Sequence, residues 1–227
     1  MIIDTHCHFD MMSYPDMYIQ EQERLGNIVI GMTNLPSHFE VGFPHVKKLK
    51  HIRLSLGMHP QLAEHTHELA KFKEMLDYTS YIGEIGLDFS AHFISTKSTQ
   101  INNLEYVLDL IKGKKKMVSV HSKNSEREVL CLLKKYDIKN VIFHWFSGPV
   151  DIIPEIIDMG YYFSINEAMT HTKKGMGIIQ RIPRDRILTE TDAPYNKKHS
   201  IIKMLKTLEM SEQDIYQNFR HILSGIM

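Results

Sequence analysis

We predict an α/β protein, and more specifically a (β/α)8 TIM barrel, from three features of the 227-residue sequence. Eight short apolar runs have the length and composition of β-strands. Amphipathic segments fill most of the gaps between these runs, and this alternation favours a parallel sheet. Residue types that bind metal ions stand at the ends of five runs. Eight strand–helix units in a chain of this length suit a compact barrel, and a doubly wound open sheet is the alternative.

The predicted elements follow one another in a regular order. Ser211, with Asp214 three residues later, forms a capping-box pattern that opens the last helix. The strand-like runs lie near residues 2–6, 27–32, 52–57, 80–85, 117–121, 140–144, 160–165 and 186–190. The helix-like segments lie near residues 16–25, 38–50, 67–78, 97–113, 125–136, 150–158, 173–181, 200–208 and 212–224.

The first apolar run ends in two histidines, His6 and His8, that are one residue apart. Side chains at positions i and i+2 of a strand point to the same side. Both imidazoles should therefore face one place, which is half of a metal site. Buried histidines without a metal would need costly polar partners, so we favour the metal interpretation.

Four later runs also supply metal-binding residue types. Glu84 stands in the fourth run, His121 and His144 end the fifth and sixth, and Asp192 follows the eighth. In a (β/α)8 barrel the functional residues lie at the carboxyl ends of the strands. A closed barrel would bring these side chains to one mouth, whereas an open sheet would spread them along an edge.

Composition sets broad bounds on the protein. A hydrophobic fraction of 43% is typical of a globular protein, and we predict a single domain over residues 1–227. No run is long enough to span a membrane, and the formal net charge is zero, so nucleic-acid binding would have to use local patches. Cys7 and Cys131 are expected to be buried thiols rather than a disulfide, which suits a cytoplasmic protein.

The predicted ligand set combines four imidazoles with two carboxylates. This set suits divalent ions such as Zn²⁺, Mn²⁺ or Mg²⁺. Six protein ligands are too many for one catalytic ion, which must keep a position open. They suit two ions that share a carboxylate, and such a pair activates water for phosphoryl displacement. We therefore predict two divalent metal ions as cofactors.

Six motifs in a fixed order resemble those of the TatD family of metal-dependent deoxyribonucleases, within the amidohydrolase-like hydrolase superfamily. The resemblance covers about residues 2–195, and the chain would be a short member. The motifs are Asp4-Thr5-His6-Cys7-His8-Phe9-Asp10, Gly57-Met58-His59-Pro60, Gly83-Glu84-Ile85-Gly86-Leu87-Asp88-Phe89, Val120-His121-Ser122-Lys123, His144-Trp145-Phe146-Ser147-Gly148 and Thr189-Glu190-Thr191-Asp192-Ala193-Pro194-Tyr195.

The resemblance implies a role for each ligand. His6, His8 and Asp192 would hold one ion, and Glu84 would bridge both ions. The catalytic residues would be Glu84 and Asp192, of which Asp192 takes a proton from the attacking water or orients it. The second ion would be completed by His121 and His144.

The resemblance also implies substrate contacts and a reaction. His59 and Lys123 would lie near the substrate phosphate. Asp88 is also assigned to the substrate site, with orientation of a ligand or capping of the next loop as alternatives. The implied activity is 3′ exonuclease cleavage of single-stranded DNA. Relatives that bridge their ions with a carboxylated lysine on the fourth strand act on amides or lactones, and residues 80–90 contain no lysine.

Two departures from the family keep alternatives open. Lys123 stands where the family usually has arginine, whose guanidinium group can form two parallel hydrogen bonds with a phosphate. The segment after Tyr195 is short, so a protein partner could complete the site. The alternatives are a hydrolase of a small phosphoester, lactone or amide, and a subunit of a larger defence assembly. Short TatD-like proteins also occur in bacterial anti-phage gene cassettes, with which this chain is compatible.

Aromatic and basic residues near the predicted mouth have two interpretations each. Trp145 and Phe146 either stack on a base or pack over the barrel. The lysine run at residues 112–116 should be a solvated turn on the opposite face. Lysines that follow later strands should surround the mouth and could hold a short single strand through its phosphates: Lys123, Lys173, Lys174, Lys197 and Lys198.

Overall fold

The computed structural model describes residues 1–196 and 200–227, which fold into a (β/α)8 barrel. The strands are β1 (Ile3–Cys7), β2 (Ile28–Gly31), β3 (Ile52–Leu54), β4 (Tyr81–Asp88), β5 (Met117–Lys123), β6 (Val141–His144), β7 (Tyr162–Ile165) and β8 (Ile187–Thr189). The helices are α1 (Pro15–Leu25), α2 (Pro36–Val46), α3 (Glu68–Met75), α4 (Lys97–Ile111), α5 (Glu126–Lys135), α6 (Ile153–Asp158), α7 (Glu167–Thr170), α8 (Lys173–Ile179), α9 (Ile201–Thr207) and α10 (Glu212–Ser224).

Hydrogen bonds between neighbouring strands close the barrel. The strands pair in parallel as β1-β2-β3 and as β4-β5-β6-β7-β8. A parallel bridge between Leu56 and Ile82 joins the two groups beyond the end of β3. On the other side, the amide of Asp192 donates to the carbonyl of His6 at 2.9 Å. The closed barrel confirms the predicted fold, and the open-sheet alternative is wrong.

Local sequence signals set the ends of several helices. Pro15 opens α1, where its fixed φ and missing N–H carry no cost. The same helix ends at Gly26, whose φ of 68° is the left-handed conformation that glycine adopts without a steric penalty. Ser211 and Asp214 form both hydrogen bonds of the capping box at the start of α10, as predicted.

The apolar core lies where the strands meet the surrounding helices. Each residue of β6 is buried, and the ring of Phe143 lies 6.1 Å from that of Phe163 on β7. On α5, Val129 and Leu133 are fully buried, while charged residues occupy the outer side of the helix. Because of this amphipathic pattern, α5 packs its apolar side against the barrel. This packing stabilises the strands that carry the site.

Some element boundaries differ from the prediction. The helix α7 was not predicted, because a single turn is too short to show a 3.6-residue period; only the Asn166 side chain, which caps it, signals its start. The strand β4 runs on to Asp88 and β5 to Lys123. Glu84 therefore lies within β4 rather than at its end.

Both cysteines are free thiols. Cys7 is buried, with its sulfur 3.6 Å from the Tyr18 hydroxyl oxygen. Cys131 is exposed on α5, so the expectation of a second buried thiol is wrong, because this position falls on the outer side of the helix. Among the described helices, none has the length and apolar character needed to cross a membrane.

Candidate metal centre

The six side chains predicted to be metal ligands come together in one cluster inside the barrel mouth. They are contributed by β1, β4, β5, β6 and the segment that follows β8. Five of them are buried, and the one on β5 is partly buried and reaches the open cavity above. The cluster consists of His6, His8, Glu84, His121, His144 and Asp192.

One part of this cluster, which we name the His6 half, contains His6, His8, Asp192 and Oε2 of Glu84. The Nε2 atoms of His6 and His8 lie 3.2 Å apart and lie 3.4 and 3.2 Å from Oε2 of Glu84. Oδ1 of Asp192 lies 3.8 and 3.7 Å from the same nitrogens. Ligands about 2.1 Å from a tetrahedral ion are separated by about 3.4 Å, so the atoms of His6, His8 and Glu84 fit around one ion, and Oδ1 of Asp192 lies beside the two histidines.

The other part, which we name the His121 half, contains His121, His144 and Oε1 of Glu84. Nδ1 of His121 lies 2.6 Å from Oε1, and Nε2 of His144 lies 3.0 Å from it. The rings of His144 and His6 are stacked with centroids 3.8 Å apart, so the two halves touch. The two oxygens of Glu84 therefore face different histidines, which is the arrangement of a carboxylate shared by two ions.

His6 and Glu84 have the protonation states that metal binding requires. Burial alone would raise the pKa of the Glu84 carboxyl, but the imidazoles of His59 and His144 lower it well below its ordinary value. Burial lowers the pKa of His6 to about 3, so its imidazole is neutral. Burial raises the pKa of Asp192 to about 7. Metal ions bind neutral imidazoles and ionised carboxylates, and His6 and Glu84 are already in those forms.

Polar groups lie behind the ligand rings and fix their orientation. Nδ1 of His6 lies 2.8 Å from the Ser119 hydroxyl. Nε2 of His121 lies 3.1 Å from Oδ2 of Asp88. A partner on the second ring nitrogen sets the tautomer of a ligating histidine. Through these contacts the structure holds His6 with its Nε2 towards the cluster, and His121 with its Nδ1 towards it.

Glu190 is a buried carboxylate that the sequence prediction did not assign to the site. Its Oε2 accepts from the Ser164 hydroxyl and lies 3.5 Å from Nδ1 of His144, and its Oε1 accepts from the Asn166 amide at 2.9 Å. Its position directly after β8 and two residues before Asp192 was the available signal, because functional residues of barrels follow the carboxyl ends of the strands. Glu190 thus lies behind His144 as Asp88 lies behind His121.

The residues predicted to bind substrate occupy three different environments. His59 is mostly buried, with Nε2 3.3 Å from Oε2 of Glu84, which brings it within the range of a metal ligand. Asp88 is fully buried, and its oxygens accept from Gln61 and from the Ser90 amide in addition to contacting His121. Lys123 is exposed at the edge of the cavity.

A cavity of about 660 Å³ lies over the cluster. Trp145 and Tyr195 line it, and so does Lys123. Phe146 does not; it is buried against Phe143 and Phe163. The two residues of the aromatic pair therefore have different environments. Phe146 packs in the core, and Trp145 lines the cavity.

The lysines divide between the two faces of the barrel. The run at residues 112–116 lies just before β5, at the opposite end from the cluster, and four of its five residues are exposed. The fifth, Lys116, is partly buried and donates to the carbonyls of Leu76 and Thr79, so it attaches this turn to the barrel. Lys173 and Lys174 are exposed at the start of α8, and Lys197 and Lys198 lie outside the described residues.

The sequence is similar to a known family over nearly its whole length. The family described as TatD related DNase matches residues 3–218. An uncharacterized metal-dependent hydrolase of Buchnera aphidicola is 29% identical over 210 residues, which are 86% of this chain and 78% of that protein. Human deoxyribonuclease TATDN3 is 26% identical over 85% of this chain and 78% of that protein.

Solved structures of TatD-type proteins have the same fold as this chain. The TatD homologue YjjV of Escherichia coli superposes with a TM-score of 0.85 at 21% identity, covering 100% of this chain and 97% of that one. A TatD family hydrolase of Entamoeba histolytica superposes with a TM-score of 0.70 at 19% identity, covering 99% and 91%. These likenesses identify the fold as that of TatD-type barrels.

Proposed function

Because the chain belongs to the family of TatD related DNases, which are metal-dependent hydrolases, we propose that it hydrolyses phosphodiester bonds of DNA with two divalent metal ions. The ions are Mg²⁺, Mn²⁺ or Zn²⁺, and the preferred substrate is single-stranded DNA shortened from its 3′ end. Residues 1–227 act as one domain. We place the reaction in the cytoplasm, since Cys7 and Cys131 are free thiols.

The observation that carries this proposal is the position of Glu84 between two sets of histidines. Its Oε2 lies 3.4 and 3.2 Å from His6 and His8, and its Oε1 lies 2.6 Å from His121. A carboxylate whose two oxygens face separate sets of histidines can bind one ion with each oxygen, which suits the closely spaced ions of two-metal sites. A single ion would leave several of these buried polar atoms without a ligand role.

The residues of the cluster and of the cavity would have different roles in hydrolysis. Two divalent ions supply a water that is nucleophilic near neutral pH and positive charge for the leaving oxygen. Asp192, beside His6 and His8, would orient the attacking water or accept its proton. Lys123 would hold the phosphate by charge from the cavity edge, and His59 would contact the phosphate or assist a metal ion.

Two finer expectations remain predictions of the sequence resemblance. One is a role in anti-phage defence. The other is a protein partner that completes the short rim after Tyr195, where α9 begins at Ile201. Both can be tested separately from the reaction itself.

The reaction is tested with a 3′-labelled single-stranded DNA oligomer and metal-stripped protein to which Mg²⁺, Mn²⁺ or Zn²⁺ is returned. We expect metal-dependent shortening by the natural chain. Glu84→Gln keeps the size of the side chain but removes the shared charge, so it should lower turnover more than about 100-fold, beyond the usual effect of an outer partner of a ligand. It should also release the ions, which elemental analysis after gel filtration measures.

Glu74→Gln is the matched control, because Glu74 is an exposed carboxylate on α3, away from the cluster. This variant should cleave DNA like the natural chain. Binding of two ions without cleavage of any oligomer would contradict the nuclease proposal and favour a hydrolase of small esters, lactones or amides. Full cleavage by Glu84→Gln would contradict the proposed metal site.

A further inference from the structure

We propose that Trp145 is a stacking surface for an unpaired nucleobase beside the phosphate that is cleaved, an assignment that rests on the proposed function. Trp145 directly follows His144 in the chain, and its side chain is partly buried and lines the cavity. It is the single tryptophan of the protein. An aromatic face next to the ligand cluster lies where the nucleoside attached to a bound phosphate would extend.

The loop that follows β6 places Trp145 between the core and the cavity. On one side of it, His144 belongs to the cluster, and on the other, Phe146 is buried with its ring 5.5 Å from that of Phe163. The φ of Trp145 is 37°, a left-handed conformation that bulky residues rarely adopt. Part of the indole packs against the core, and the rest of its surface lines the cavity. Packing on one side holds the ring in place, and the exposed side is open to a ligand.

The other residues of the cavity match the remaining parts of a nucleotide. Lys123 supplies a positive charge at the edge, which suits a phosphate. Tyr195 supplies a second aromatic ring, which meets the His8 ring at a centroid distance of 5.0 Å and is held by a 3.2 Å hydrogen bond from the Asn34 amide to its hydroxyl. A cation, two aromatic rings and the ligand cluster in one cavity form a site for phosphate and base together.

The geometry favours an unpaired base over a duplex. Inside a duplex both faces of each base are covered by neighbouring base pairs, and the face that is free at a duplex end belongs to a base pair rather than to a single base. The end of a single strand offers the free face of one unpaired base, and stacking of this kind accepts any base. A cavity of about 660 Å³ has the size of sites that enclose one small ligand. The chemical class is therefore a single-stranded nucleic acid with its terminal nucleoside in the cavity.

The single tryptophan allows a direct test in the unaltered, metal-loaded protein. Thymidine 5′-monophosphate and 2-deoxyribose 5-phosphate carry the same phosphate, but only the first has a base. We expect saturable quenching of tryptophan fluorescence by thymidine monophosphate and no comparable quenching by the sugar phosphate. Equal responses to both compounds, or none to either, would overturn the proposal.

A kinetic test separates stacking from a merely structural role. Trp145→Ala and Trp145→Phe are compared on a single-stranded oligomer and on the same oligomer with an abasic 3′-terminal nucleotide. Trp145→Ala should raise KM roughly tenfold on the intact oligomer, within the range for loss of one stacked base, with little change in kcat. Trp145→Phe should restore most of the binding, and KM for the abasic oligomer should change little in either variant.

The outcomes distinguish this proposal from the proposed function. Quenching by thymidine monophosphate without cleavage of DNA would support the base subsite and contradict the nuclease assignment. Cleavage by Trp145→Ala with an unchanged KM would contradict the base subsite and leave the nuclease assignment in place. An equal rise of KM on intact and abasic oligomers would also contradict the stacking proposal, because it would show that the substitution distorts the cavity as a whole.

Discussion

The two halves of the ligand cluster share Glu84 but differ in what lies behind their histidines. In the His6 half, the second ring nitrogen of His6 faces a neutral hydroxyl, that of Ser119. In the His121 half, the second ring nitrogens face carboxylates, with Asp88 behind His121 and Glu190 behind His144. A carboxylate behind an imidazole makes that imidazole a stronger metal ligand.

The acid–base behaviour of the rings follows the same division. Burial lowers the pKa of His6 to about 3. Burial would also lower the pKa of His121, but its contacts with Asp88 and Glu84 raise it above the ordinary value. His144 is likewise raised well above its ordinary pKa by Glu84 and Glu190 against the effect of burial. In the His121 half, the carboxylates thus stabilise the protonated imidazoles by more than burial destabilises them.

This difference teaches that two ions in the cluster would not be equivalent. The His121 half concentrates negative charge behind its ligands, so it should bind its ion more tightly. The His6 half relies on the shared Glu84 and on Asp192, which lies next to the open cavity. We therefore expect the His121 half to fill first when metal is returned to stripped protein.

Asp88→Asn should have the largest effect among the residues behind the ligands. Asp88 is fully buried and lies 3.1 Å from His121, so loss of its charge weakens that ligand directly. We expect the affinity for the tighter ion to fall towards the upper end of the about 10–100-fold range for outer partners. Calorimetric titration of stripped protein with Zn²⁺ measures this affinity.

The same variant also decides between the two predicted roles of Asp88. If Asp88 contacted substrate, Asp88→Asn would raise KM and leave metal affinity unchanged, which is the reverse of our expectation. Asp151→Asn is the control, because Asp151 is an exposed carboxylate paired with Arg127 on the outer surface. It should change neither quantity.

Glu190→Gln should have a smaller effect of the same kind. Its carboxylate lies 3.5 Å from His144 and is shared with Ser164 and Asn166, so less of its charge acts on the ring. We expect about a tenfold loss of affinity for the tighter ion, measured by the same titration, with the weaker ion unaffected.

Glu167→Gln is the control for this substitution, since the Glu167 carboxylate accepts from the Ser200 amide and does not face the cluster. It should titrate like the natural chain. An equal loss at both ions in Glu190→Gln would show that the carboxylates support the whole cluster, and the comparison of the halves would fail.

The fold was predictable because its signals are local and repeated. Each strand begins in or near a short apolar segment, and the long helices have amphipathic patterns, so the (β/α)8 order can be read without knowledge of long-range contacts. The exceptions have physical causes. The helix α7 is one turn long, and the extension of β4 to Asp88 depends on pairing with β5, which a single strand does not reveal.

The clustering of the six predicted ligand side chains could be predicted for a related reason, but the polar groups around them could not. Barrel topology brings strand ends together, so six chemically distinctive residues could be placed at one mouth before any distance was known. Which polar groups contact the second ring nitrogens of the histidines depends on the folded positions of neighbouring side chains. Glu190 follows β8 and Ser119 lies on β5, and only the folded barrel brings them to His144 and His6.

Ser119→Ala should have the smallest effect, and it tests the comparison from the other side. The Ser119 hydroxyl is neutral, so its loss removes one hydrogen bond from His6 without removing charge. We expect about a twofold to fivefold loss of affinity for the weaker ion only, measured by the calorimetric titration. Ser125→Ala is the control, because that buried hydroxyl donates to the Leu87 carbonyl instead. A loss as large as that in Asp88→Asn would mean that ring orientation, and not charge, governs both halves.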